Sequence, residues 1–210
     1  MKVAVIRFSS IGDIVLTTPV VRLLKSQVEA EVHYVTKKQY GSIVFNNPYV
    51  DKVHVLDKSL EALVSQLRAE KFDYLIDLHH NLRTRLLSLR TGIPTLRFNK
   101  LNIEKWLLVN FKMNRLPNVH IVDRYLETIK SLGVKGDALG LDYFIPEADY
   151  VPLEWLPETH QQGYVAYAIG AQHATKRLPL SRMIELCDKI NKPIVLLGGK
   201  EDQETGERIY

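Results

Sequence analysis

The stretch Arg7-Phe8-Ser9-Ser10-Ile11-Gly12-Asp13 places a guanidinium, two hydroxyls and a carboxylate within seven residues. An apolar run precedes it at residues 3–6, and a helix-like run follows from Ile14 to Lys25. A strand that turns through small residues into a helix leaves unpaired backbone N–H groups, and the helix dipole adds positive character. Asp13 at such a turn can take a proton from a hydroxyl held within hydrogen-bond reach. Asp is also a favoured N-cap, and local chemistry alone favours that plainer role. Gly12 permits a tight turn and the approach of a partner. Ser9 and Ser10 either donate to a phosphate or sugar oxygen or satisfy the turn's own backbone. Arg7 either reaches into the crevice or pairs with a carboxylate. The stretch is neither a G-x-G-x-x-G dinucleotide turn nor a P-loop, which argues against a nicotinamide-dependent oxidoreductase.

Other groups that could do chemistry lie further along. Thr175 and Lys176 follow an apolar run and precede a helical one. There, an ammonium and a hydroxyl could offset and bind the oxygens of a departing diphosphate. Solvated surface lysines are the commoner case, and Arg177 is a weaker helper. Gly198, Gly199, Glu201 and Asp202 end the next apolar run. Glycines there allow close approach of a ribose, and an acid can accept from its hydroxyls. The plain alternative is a turn with a solvated acidic tail. His79 and His80, which adjoin Asp77, point in different directions and form a poor metal pair, so a loop role or hydrogen bonding to a ligand is expected of them. Cys187 falls in a helical pattern as a small core residue.

Residues 82–115 are strongly basic, with Arg83, Arg85, Arg90, Arg97, Lys100, Lys105, Lys112 and Arg115 against Glu104. Leu87, Leu89, Trp106, Leu107, Leu108, Val109 and Phe111 are interleaved with these charges. The mixture fits an interfacial helix facing a phosphorylated glycolipid or an anionic membrane. An amphipathic helix with a solvated basic face explains it as well. Arg83 and Arg85 are the candidates for contact with a phosphate.

These groups need a frame. Strands are predicted at residues 3–8, 31–36, 52–56, 74–78, 164–169 and 194–197. Helices are predicted from Ile14, at 60–70, at 122–132 with Gly133 closing it, and at 180–190. Pro19 suits the first position of a fresh turn capped by Thr18. The alternation predicts an α/β fold with a mainly parallel sheet. Residues 1–145 read as a first domain, the proline-bearing residues 146–162 as a linker, and 163–210 as the start of a second domain that stops after two strands. Two strands rarely bury enough surface to stand alone, so the chain reads as cut short.

Bulk properties narrow the classes. The chain has 210 residues, 46% hydrophobic and 25% charged, as in ordinary globular proteins. A net charge of +4 does not by itself demand nucleic acid. The single cysteine excludes an internal disulfide and suits a reducing compartment. The short apolar run after Lys2 ends at Arg7, unlike a signal peptide, and no run approaches a membrane span. A cytoplasmic protein is expected.

Two segments together resemble a known family. The opening K-V-A-V-I-R-F-S-S-I-G-D-I-V-L-T-T-P-V-V-R-L-L-K is similar to the N-terminal signature of the heptosyltransferase-type glycosyltransferases, family nine. Y-V-A-Y-A-I-G-A-Q-H-A-T-K-R-L-P, followed by I-V-L-L-G-G-K-E-D, resembles the start of that family's second domain. Y-L-I-D-L-H-H-N-L-R-T and H-I-V-D-R-Y-L-E-T-I-K-S-L-G-V fit between them. The family's later donor motif, rich in glycine and histidine, has no counterpart in the chain.

The resemblance implies a GT-B fold of two Rossmann-like domains. It implies inverting, metal-independent transfer of a heptose from a nucleotide diphosphate sugar, ADP-heptose, to a lipopolysaccharide core acceptor, with no cofactor. Asp13 then maps onto the general base. Ser9, Ser10, Gly12, Arg83 and Arg85 fall on the acceptor side. Thr175, Lys176, Gly199, Glu201 and Asp202 fall on the donor side. The competing expectation is a non-catalytic anion- or glycan-binding remnant of such an enzyme.

Overall fold

The computed structural model describes residues 1–171 and 173–210. The chain divides into two compact units, Met1–Pro146 and Glu147–Tyr210. The first is built on five strands: β1 (Lys2–Ile6), β2 (Glu31–Lys37), β3 (Lys52–Leu56), β4 (Tyr74–Asp77) and β5 (Thr95–Arg97). Their spatial order is β3-β2-β1-β4-β5, and every pair is parallel. Val3, Ala4, Val5 and Ile6 are all fully buried, as a continuous apolar run in the middle of a parallel sheet must be. Alternate residues serve opposite faces. Val3 and Val5 join one core with Ile14, Leu24, Tyr34 and Tyr125. Ala4 and Ile6 join another with Leu63, Leu67, Leu75 and Leu87.

Local chemistry explains most helix boundaries. The helix expected from Ile14 is two helices, α1 (Ile11–Val15) and α2 (Thr18–Val28). The α2 cap is Thr17, one residue before the expected Thr18, and Pro19 lies in the first turn, where no N–H is missed. The Thr17 hydroxyl is taken up at the break, donating to the Ile14 carbonyl at 2.6 Å and meeting the Tyr34 hydroxyl at 2.7 Å. Ser59 caps α3 (Leu60–Ala69), accepting from the Ala62 N–H. The segment expected as one helix at 122–132 ends earlier: α6 (Ile121–Glu127) is followed by a 3-10 turn, Lys130–Leu132, closed by Gly133 at φ 84°.

The basic stretch is not one interfacial helix. It holds α4 (Leu82–Thr91), the edge strand β5, and α5 (Asn102–Phe111). α4 starts from an Asn81–Thr84 capping box and stops at Gly92, whose φ of 70° suits glycine.

The second unit holds a parallel pair, β6 (Val165–Ala168) and β7 (Ile194–Leu197). It also contains α7 (Glu158–Gln161), α8 (Leu180–Lys189) and α9 (Gln203–Ile209). Residues 146–162, expected as a linker, carry short 3-10 turns at Glu147–Asp149 and Leu153–Trp155 besides α7, and from Glu147 they group with this unit. Cys187 on α8 is half-buried, with a free thiol.

Candidate functional site

In this strand order the chain reverses direction between β1 and β4, and the crevice beyond their C-terminal ends is the usual ligand position of an open α/β sheet. The loop after β1 supplies Arg7, Ser9, Ser10 and Asp13. The loop after β4 supplies His79, His80 and Asn81.

Arg7 joins the two loops. Its side chain is buried, and all three guanidinium nitrogens are engaged. Nε donates to the Ser9 carbonyl at 2.8 Å, and Nη1 donates to the Leu78 carbonyl at 2.7 Å and the Tyr125 hydroxyl at 3.2 Å. Nη2 lies 2.6 Å from Asp13 Oδ2. The same Oδ2 accepts from the Ser10 N–H at 3.2 Å and the Ser10 hydroxyl at 3.0 Å. Asp13 Oδ1 makes no hydrogen bond among the described residues, and the side chain is 39% exposed. Partial burial raises the Asp13 pKa, but Arg7 and the Ser10 donors outweigh it and hold the carboxyl below its ordinary value. The carboxylate is thus ionised and fixed through one oxygen, with the other left open.

Asp13 is both N3 of a capping box and a partner of Arg7. The N-cap is therefore Ser10, not Asp13 as the sequence suggested, while the expected pairing of Arg7 with a carboxylate holds; neither contact occupies Oδ1. The Ser10 hydroxyl, expected toward an acceptor, is engaged with Asp13. Gly12 sits inside α1, not in a turn that needs glycine, and a Cβ there would meet nothing within 4 Å. Its contribution is open space above the site. Arg83 and Arg85 lie exposed in the first turn of α4, at the same end of the sheet, with no ion pair among the described residues.

The sequence marked His79 and His80 beside Asp77 as loop or hydrogen-bonding residues but did not tie them to Arg7. Asp77 at the end of β4 is fully buried, and its Oδ1 accepts from the His79 and His80 N–H groups at 3.1 and 2.7 Å. His80 Nδ1 donates to the Phe98 carbonyl at 2.6 Å. The His79 ring packs on Phe8 with centroids 5.5 Å apart. Burial first, then the charges of Arg7 and Lys100, push its pKa down to about 4, so the ring is neutral. Asp77 Oδ2 and His79 Nδ1 are buried without a partner among the described residues. Burial and Arg7 also lower the Lys100 pKa. The only available signal was the D-L-H-H run at a strand end, and its closeness to Arg7 depends on strand order.

In the second unit Thr175 and Lys176 form an exposed 3-10 turn, Ala174–Lys176, beyond the end of β6. Gly199 and Glu201 are exposed beyond the end of β7. Asp202 is different. It is buried, its Oδ2 accepts from the Gly199 N–H at 3.0 Å, and Oδ1 lies 3.7 Å from Arg177. A Cβ at Gly170 would fall 1.9 Å from Asp202 Oδ2, so the glycine makes room for this carboxylate. Asp202 therefore organises the loops after β6 and β7 from beneath, where the sequence suggested a ribose contact.

The basic stretch presents an unusual surface. No residue of α5 is buried, and Ile103, Trp106, Val109 and Phe111 are exposed. The Trp106 and Phe111 rings meet edge-on at 5.2 Å. Among the described residues, no helix is long and apolar enough to cross a membrane.

No family model matches the chain. A curated relative, lipopolysaccharide heptosyltransferase 1 of Campylobacter coli, is 24% identical over 91% of this chain and 61% of its own length. The solved family 9 glycosyl transferase of Veillonella parvula superposes with a TM-score of 0.75 at 24% identity, over 99% of this chain and 65% of that one. The E. coli heptosyltransferase WaaC, solved with ADP, gives 0.72 at 20% identity over the whole of this chain and 72% of its own. E. coli ADP-heptose lipopolysaccharide heptosyltransferase II gives 0.71 at 17%, over 68% of its length. The chain thus spans about three fifths of the curated relative and two thirds of the Veillonella structure. The fold is α/β of the GT-B type, and in sequence and fold the chain is similar to the heptosyltransferase-type glycosyltransferases.

Proposed function

We propose that the chain is part of an inverting, metal-independent glycosyltransferase that moves a heptose or related sugar from a nucleotide diphosphate donor to a lipopolysaccharide core acceptor. The observation that carries this reading is the Asp13 carboxylate, held ionised by Arg7 and Ser10 through Oδ2 with Oδ1 open. The acceptor hydroxyl gives its proton to Oδ1 as its oxygen bonds to the anomeric carbon. The bond from that carbon to the diphosphate oxygen breaks, and the electron pair leaves with the diphosphate. Attack opposite the leaving group inverts the anomeric centre. Lys176 and Thr175 supply charge and a hydrogen bond to the departing diphosphate. An ADP-sugar is the natural donor class, because the similar E. coli enzyme WaaC was solved with ADP.

Arg83 and Arg85 take the acid groups of the acceptor. α5, with Lys100, Lys105, Lys112 and Arg115 around exposed Trp106 and Phe111, rests on the anionic surface that carries such a glycolipid. On this reading the protein works at the inner face of the cytoplasmic membrane.

The test is Asp13→Asn in the natural protein, assayed with ADP-heptose and a lipopolysaccharide core acceptor. The base role predicts a fall in kcat of about 10²–10⁴-fold. Unchanged transfer would remove Asp13 from the mechanism. A natural protein that binds the glycolipid through Arg83 and Arg85 but transfers nothing would establish the binding remnant instead.

A further inference from the structure

At the opposite end of the sheet from Asp13, three metal-ligating side chains that lie far apart in the sequence converge. His33 lies on β2, His54 on β3, and Glu70 at the C-terminus of α3. Both histidines are buried, 2% and 4% exposed. His33 Nδ1 lies 2.9 Å from His54 Nε2, and His54 Nε2 lies 3.9 Å from Glu70 Oε1. All three ligand atoms fall within 4.8 Å of one another.

We propose that His33 Nδ1, His54 Nε2 and Glu70 Oε1 form a site for a borderline divalent metal ion, Zn²⁺ by its chemistry, which staples β2, β3 and α3 together.

Zn²⁺ binds imidazole nitrogen and carboxylate oxygen at about 2.0–2.2 Å, so tetrahedral ligand atoms sit roughly 3.3 Å apart. The separations of 2.9 and 3.9 Å bracket that value, and the third pair lies within 4.8 Å. Water completes the fourth position. The surroundings match those of a metal-ligating histidine. Glu31 Oε1 lies 2.9 Å from His33 Nε2, accepts its proton, and so leaves the lone pair on Nδ1, facing His54. The edge of Phe72 packs against both rings, with centroids 5.0 and 6.1 Å away, which limits their rotation. A surface hollow of about 540 Å³, lined by Lys52, His54, Gln66 and Glu70, gives the ion a path in.

Without an ion, Lys52 and Lys2 neutralise Glu70. Lys52 is 56% exposed, and it swings into water when the metal takes Oε1. Lys2 keeps its contact with Oε2 at 2.6 Å and with Glu31 at 3.0 Å. As the metal binds, His54 changes tautomer: its proton passes through solvent from Nε2 to Nδ1 and the ring stays neutral.

The experiment is a calorimetric titration of the metal-stripped 210-residue chain with Zn²⁺, paired with thermal unfolding. The expected result is one equivalent of Zn²⁺ bound and a higher melting temperature. Both should be lost in His54→Gln. Glu31→Gln keeps all three ligands and should weaken binding about 10–100-fold. Should His54→Gln fail to fold, Glu70→Gln, altered at the hollow's edge, replaces it, with circular dichroism confirming the fold. The absence of stoichiometric binding, or an affinity unchanged by His54→Gln or Glu70→Gln, would overturn the site.

Discussion

Arg7 Nη2 lies 2.6 Å from Asp13 Oδ2, while the same guanidinium holds the Leu78 carbonyl, 71 residues away in sequence. One cation thus sets the ionisation of the candidate base and the spacing of the two loops around it. Arg7 is a positioning residue in this arrangement.

Removing that cation separates the two effects. The Asp13 pKa is held down in the folded protein, so its share of stability is present above the unfolded value, near 3.9, and is lost as pH falls through the folded value. In Arg7→Met the carboxyl titrates at higher pH, and the acid limb of the kcat/KM profile moves upward. The buried Leu78 carbonyl also loses its donor, at a cost of about 1–3 kcal/mol. A pH–rate profile beside a urea titration reads both. A limb that does not move would mean another group titrates in catalysis.

Acid should weaken the fold before its carboxylates protonate. His54 is neutral when folded, with a pKa of about 4, against about 6.5 unfolded. The unfolded chain binds the extra proton between those values. Stability is therefore complete above about pH 6.5 and falls toward pH 4, by up to about 1.4 kcal/mol per pH unit for this one group. Urea midpoints in metal-free buffer from pH 4.5 to 7.5 should slope accordingly, and His54→Gln should flatten that slope. His79 adds a second contribution of the same sign.

Arg22 is a second buried cation with a purely architectural role. Nε lies 2.8 Å from Asp137 Oδ2, Nη1 pairs with Asp142, and Nη2 donates to the Gly140 carbonyl at 3.0 Å. This clamp ties residues 137–142 to α2. Arg22→Met leaves two carboxylates and a carbonyl uncompensated and should cost about 3–5 kcal/mol, read as a drop in urea midpoint.

The exposed rings of α5 predict selective membrane binding. Vesicles containing phosphatidylglycerol should retain the protein at low salt, and pure phosphatidylcholine should not. Trp106→Ser with Phe111→Ser should lower partitioning about tenfold or more while leaving the unfolding curve in place, because neither ring is buried in the fold. Sedimentation with the vesicles measures it. Equal binding to neutral vesicles would point away from the basic residues.

Much of the frame was legible because burial wrote it into the sequence. β1 is apolar at every buried position, and α3 repeats Leu60, Leu63, Val64 and Leu67 on one face. α4 and β5 were not legible for a matching reason. α4 buries Thr84, Ser88 and Thr91 beside Leu87, so its inner face does not read as apolar. α5 buries nothing and follows no core period. Asp13 stood out through its place after a strand. The hold of Arg7 on the Leu78 carbonyl and the roles of Asp77 and His79 did not, because they arise only once β1 and β4 lie side by side. His33, His54 and Glu70 meet only once β2 and β3 pair and α3 packs back on them.

The strand order also sets a timetable for assembly. β1 precedes its sheet neighbours in the chain but ends in the middle of the sheet. Its first edge is filled when β2 pairs Lys2 with Glu31, while its second edge waits for β4 to pair Val3 with Tyr74. Closing that longer loop is the entropically slower step. Until it closes, Arg7 has no Leu78 carbonyl to hold. A nascent chain can therefore form half of the sheet while the candidate site does not yet exist, and binding competence should arrive late and all at once rather than growing with chain length.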